Sequence, residues 1–181
     1  MEPFYYFKAV MKATYIFIPL LLFTTLEGLT QKHTETISRI RQEFTRINKD
    51  STLKVITLDA EEFLENTPDG GAELKGFYKN GKLVKLIEWI GLSYGNRIRE
   101  FYLKDEALFF VYEIFYSFVR TEDGLDPSKT VKSFEARYYI SENKLIDKKQ
   151  TGKVPMDQSQ PTASTLIADA EEYSNKLSTV K

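Results

Sequence analysis

The sequence predicts an α+β protein with an N-terminal amphipathic helix, an antiparallel meander of about six or seven strands, and a C-terminal helix. Three observations carry this. Apolar residues step at three- and four-residue intervals near both ends, the period is two between them, and turn signals there recur about every eight to fifteen residues.

The first thirty residues read as a signal peptide that starts at Met11. Lys12 supplies the charge, Tyr15 to Phe23 the apolar stretch, and Gly28 and Thr30 the small residues before a cut. The stretch is shorter than the roughly 20 residues a membrane helix needs, and it contains Pro19. The expected mature chain is one domain, residues 31–181, starting at Gln31. The expected location is outside the cytoplasm, periplasmic or secreted. An uncleaved signal would make the protein a signal-anchored envelope protein, the one case in which it would meet a membrane.

From Thr34 to Asn48 the residues Ile37, Ile40, Phe44 and Ile47 form one apolar stripe, with Thr34 or Thr36 as the cap and "NKDS" as the stop. Strands are then expected at "TLKVITL", "AELKGFY", "KLVKLIEWI", "RIREFYL", "ALFFVYEIFYSFVR", "VKSFEARYYI" and "KLIDKKQ". The segment "DAEEFLE" fits neither period. Between strands lie "NTPDGG", "KNG", "GLSYGN", "KDE", "TEDGLDPSK" and "SEN", of which Asn80-Gly81 is the standard tight-hairpin pair. Residues 151–160 read as a linker. Beyond them Leu166, Ile167, Ala170, Tyr173 and Leu177 share a stripe, with Pro161 suited to the first turn, so a second helix either docks on the sheet or stands apart.

Three hairpins share an idiom: "FYKNGKLVK", "FYLKDEALFF" and "YYISENKLID". An aromatic pair, a polar turn and Lys-Leu resemble features of uncharacterised small exported proteins of Gram-negative bacteria, and faintly the hairpins of MORN-type repeats, over about residues 72 to 150. The repeated glycines and even spacing of MORN units are missing. The resemblance therefore implies an exported protein and carries over no activity.

Composition excludes several chemistries. The 25 basic and 26 acidic residues give a net charge of −1, so no field draws the chain to nucleic acid. Cysteine is absent and His33 is the single histidine, which removes disulfides, thiolate nucleophiles and multi-histidine metal sites. No metal, cofactor or catalytic residue is expected. Glu88, Glu100, Glu113 and Glu135 sit in strands, and two of them facing one groove would make a small carboxylate-dependent hydrolase such as a glycosidase. Lys85, Arg97, Arg99 and Arg137 lie nearby, so cross-strand ion pairs on the wet face are the simpler expectation.

Alternation along "FFVYEIFYSF" puts Phe110, Tyr112, Ile114, Tyr116 and Phe118 on one face, read as core against the N-terminal helix. Phe109, Val111, Glu113, Phe115 and Ser117 fall on the other, partly open face. Together these features predict an exported, non-catalytic module with a curved sheet. Its open face would hold an envelope protein, peptide, lipid or glycan through Trp89, Tyr102, Phe109, Phe115 and Tyr139.

Overall fold

A computed structural model describes residues 18–153 and 160–180, with side chains from residue 31 onward. The elements run α1 (Ile18–Lys49), β1 (Lys54–Asp59), α2 (Ala60–Phe63), β2 (Ala72–Lys79), β3 (Lys82–Leu92), β4 (Gly95–Lys104), β5 (Ala107–Thr121), β6 (Gly124–Ser141), β7 (Lys144–Gly152) and α3 (Ala163–Ser178). Among the described residues the seven strands form one antiparallel sheet in strict sequence order, an open meander. The fold is thus α+β as the period changes predict. No helix among the described residues is long and apolar enough to cross a membrane. Residues 1–17 of the expected signal peptide and residues 154–159 of the expected linker lie outside the described residues.

Contacts group the chain into two units, Met1–Arg39 and Ile40–Lys181. In the first, α1 already runs through residue 34, so the expected start at Thr34 or Thr36 is wrong. Thr36 bonds back to the Lys32 carbonyl at 3.0 Å, as a mid-helix threonine does, and caps nothing.

In the second unit, "DAEEFLE" becomes the single turn α2. The Glu62 carboxylate accepts from the Asp59 amide at 2.7 Å, half of a capping box, and Phe63 drops into the core with 1% exposure. At α3 the Thr162 hydroxyl oxygen accepts from the Thr165 amide at 3.2 Å, so Pro161 stands before the cap and not in the first turn.

The β2–β3, β4–β5 and β6–β7 turns all use two left-handed residues. Their φ values are 50° and 81° at Asn80-Gly81, 47° and 68° at Asp105-Glu106, and 52° and 57° at Glu142-Asn143. The shared idiom is therefore one turn type written three ways. The expected loop "TEDGLDPSK" is instead a tight turn at Glu122-Asp123 followed by a bulge, where Val119 pairs with Asp126 and Phe118 with Thr130. Pro127 sits in that bulge, where no ladder amide is needed.

The larger core cluster lies on one face, where Leu58, Leu74, Leu86, Phe101, Val111, Phe115, Ala136, Tyr138 and Ile140 are packed together with Phe63 and α3. Helix α3 docks on the sheet through Leu166, Ala170, Tyr173 and Leu177, each at most 6% exposed. At about 1.5–3 kcal/mol for each large apolar side chain, that stripe holds the helix down. The face assignment from alternation is corrected here: Val111, Glu113 and Phe115 are buried, whereas Tyr112, Ile114, Tyr116 and Phe118 are half-exposed.

Candidate functional site

Register fixes which side chains share the second face. Lys85, Tyr102, Phe110 and Tyr139 form one row across β3 to β6, and residues 40–49 of α1 lie on it. The Phe44 ring packs tilted against Tyr102, centres 4.9 Å apart, and edge-on against Phe110 at 5.2 Å, and Arg41 donates from Nε to the Tyr139 hydroxyl at 3.5 Å. The Tyr102 hydroxyl donates to Glu100 and accepts from Asn48 Nδ2 at 2.9 Å. Lys85 Nζ lies 3.0 Å from Glu100 and 2.9 Å from Asn48 Oδ1. Burial, with the Glu100 carboxylate beside it, pushes the Tyr102 phenol far above its usual range.

The next two rows are Ile87, Glu100, Tyr112, Arg137 and then Trp89, Ile98, Ile114, Glu135, with Tyr116 beyond them. Ile87, Trp89, Ile98, Tyr112, Ile114 and Tyr116 are all half-exposed, an apolar strip on the sheet. Charges bound it in pairs: Lys75 with Glu73 at 2.6 Å on the β2 side, and Glu135 with Lys132 and Arg137 on the β6 side. The hydrogen bond from Lys132 holds the Glu135 carboxyl below the usual carboxylate range. Arg137 lies 5.2 Å from the Tyr112 ring centre.

The opposite face buries a polar network. Arg99 donates to Glu88 from Nε at 2.8 Å and from Nη2 at 2.7 Å, and Nη1 reaches Asp169 of α3 at 2.7 Å. Tyr173 donates its hydroxyl to Glu88, and Arg97 approaches the same carboxylate at 3.3 Å. Burial opposes the charge on Glu88, but the two guanidiniums and the phenol overcome it, leaving a pKa of about 2. Glu113 accepts from the Tyr138 hydroxyl at 3.0 Å. The expected ion pairs of Glu88, Glu100 and Glu135 are present, but the Glu88 pair is buried under α3 and not on a wet face. A carboxyl held ionised in this way carries no proton near neutrality for general acid work.

The five aromatic residues expected at a binding face do not come together. Tyr102 and Tyr139 are 0% and 3% exposed beneath α1, and Phe115, at 1%, lies on the α3 face. Phe109 is half-exposed beside Tyr102, its ring centre 6.4 Å away, and only Trp89 belongs to the open strip. Alternation placed Tyr112, Ile114 and Tyr116 in the core because a wholly apolar strand face reads as buried, and it did not single out Ile87 and Ile98, which share their strand faces with Lys85 and Glu100. The signal that finds them is cross-strand: their neighbours in the same rows, Lys75, Glu100, Glu135 and Arg137, are charged.

Comparison with protein-family models, curated proteins and solved structures finds no match to this chain.

Proposed function

We propose that the protein is an exported, non-catalytic module that holds a protein partner on the sheet face carrying Trp89. The half-exposed strip of Ile87, Trp89, Ile98, Tyr112, Ile114 and Tyr116 carries this reading. An apolar centre containing Trp and Tyr, with charges at its border, has the make-up of a protein interface core and rim. Border charges that are already paired cost little to dock against, since no lone ion needs a new partner.

The test compares wild type with Ile98→Glu and Ile114→Lys in a pull-down from envelope extract, with urea unfolding as the fold control. A protein retained by wild type and lost in both variants at unchanged unfolding midpoints is the expected result. Equal retention by all three, or none by wild type, overturns the reading. Export is read separately by sequencing the N-terminus of the protein from its native compartment, where Gln31 is expected. A chain that keeps residues 12–25 refutes cleavage.

A further inference from the structure

Alternate hairpins of a meander turn at the same end, so the turns at Asn80-Gly81, Asp105-Glu106 and Glu142-Asn143 stand side by side. Helix α3 passes this end on the face opposite Trp89. One stripe of the helix enters the core, and the adjacent stripe, Ile167, Glu171, Ser174 and Asn175, faces a cavity of about 670 Å³ between helix and turns. That volume is the size of a small-molecule site.

The cavity has two chemistries. Its sheet side is apolar: Tyr78, Leu83, Leu103 and Leu108 come from both sides of the first two turns. Its rim carries two exposed carboxylates on different elements, Glu106 on the β4–β5 turn and Glu171 on α3, and neither has an ion pair among the described residues. Lys82, the cation of the lining, is engaged by Asp105 at 3.2 Å. The Ser174 hydroxyl donates to the Ala170 carbonyl at 2.7 Å, so what it turns to the cavity is lone pairs. An anion would meet two like charges here, and a neutral chain would leave them uncompensated.

We propose that this groove binds a small amphipathic cation, an ammonium head on an unbranched apolar tail. The head lies between Glu106 and Glu171, and the tail lies along Leu83, Leu103 and Leu108. The site is independent of the strip around Trp89.

Octylamine is titrated into the full chain below its micelle concentration by calorimetry, with octanol and octanoate as controls sharing its tail. Saturable one-to-one binding of octylamine is expected, with octanoate weaker by about tenfold or more, since each head-group charge changes sign against two carboxylates. Glu106→Gln combined with Glu171→Gln, both exposed and outside the core, brings octylamine down to the octanol level. Ser174→Phe fills the groove and removes binding of all three. Equal affinity for amine and carboxylate, an unchanged affinity in the double variant, or no octylamine binding by wild type each overturns the proposal. The double variant decides the matter if Ser174→Phe does not fold.

Discussion

Arg99 and Glu88 face each other directly across the β3–β4 ladder and form a two-pronged pair, at 2.8 and 2.7 Å, in which the carboxylate is 1% exposed. Such a pair is satisfied only as a whole, and here α3 completes it through Asp169 and Tyr173. The polar network therefore sits at the joint between helix and sheet, where an apolar stripe alone would tolerate sliding.

Removing one partner leaves a buried charge. Arg99→Ala is expected to destabilise the fold by about 3–5 kcal/mol, while Glu88→Leu combined with Arg99→Met costs less than the sum of the singles. Urea unfolding of wild type, Arg99→Ala, the two singles and the double measures both. Additive losses would show that the two groups do not act as a pair.

Acid should release the same joint. Glu88 has a folded pKa of about 2 against an ordinary value of 4.5, so the folded state favours its ionised form. A depressed carboxyl contributes its stability above the unfolded pKa and loses it as pH falls through the folded one, here between about pH 4.5 and 2. The contribution is on the order of 3 kcal/mol. Stability measured by urea from pH 6 to pH 2 should fall across that window in wild type. In Glu88→Gln it should begin lower and decline less steeply, and parallel curves would remove Glu88 from the acid response.

Much of this fold is legible in the sequence because its signals are local. The change of period from 3.6 to 2 marks the helices and strands, and Asn80-Gly81 announces a tight hairpin. What alternation could not decide was which side of β5 is deeper, since Phe110, Tyr112 and Ile114 are as apolar as Val111 and Phe115. The choice is made by α3, more than forty residues further along the chain, whose stripe joins the same core cluster as Val111 and Phe115. Glu113 misleads for the same reason: a charge argues for solvent until the Tyr138 hydroxyl, from another strand, is seen to satisfy it. Of the candidate site, the aromatic residues Trp89, Tyr112 and Tyr116 stand out in the sequence, whereas Ile87, Ile98 and Ile114 join them only through register, not periodicity.

Backbone contact between two glycines leaves no room for a side chain. Gly70 and Gly91 tie the "NTPDGG" turn to the end of β3, with Gly70 N–H donating to Gly91 O at 3.2 Å and Gly91 N–H donating to Gly71 O at 2.9 Å. A Cβ on Gly91 would stand 2.5 Å from the Gly70 carbonyl oxygen, so the two segments must separate and lose both bonds. Gly91→Ala is expected to cost about 2 kcal/mol or more in urea unfolding, with Ser93→Ala, an exposed change two residues on, near zero. A Gly91→Ala protein as stable as wild type would mean the segments can part freely.

The third hairpin turn leaves stability unclaimed. Glu142 and Asn143 hold φ values of 52° and 57°, the left-handed region that Asn-Gly occupies at least cost, yet Glu142 is a residue that resists it. Glu142→Asn combined with Asn143→Gly rewrites the turn as the Asn80-Gly81 pair already present in the first hairpin. It should raise stability by about 0.5–1 kcal/mol, because the strain relieved at two residues exceeds the added freedom of one glycine in the unfolded chain. The reciprocal change, Gly81→Ala at φ 81° with nothing within 4 Å of the new Cβ, should lower stability through backbone strain alone. Thermal and urea unfolding of both proteins are the measurement. A loss in the first or a gain in the second would show that left-handed backbone strain does not govern the stability of these turns.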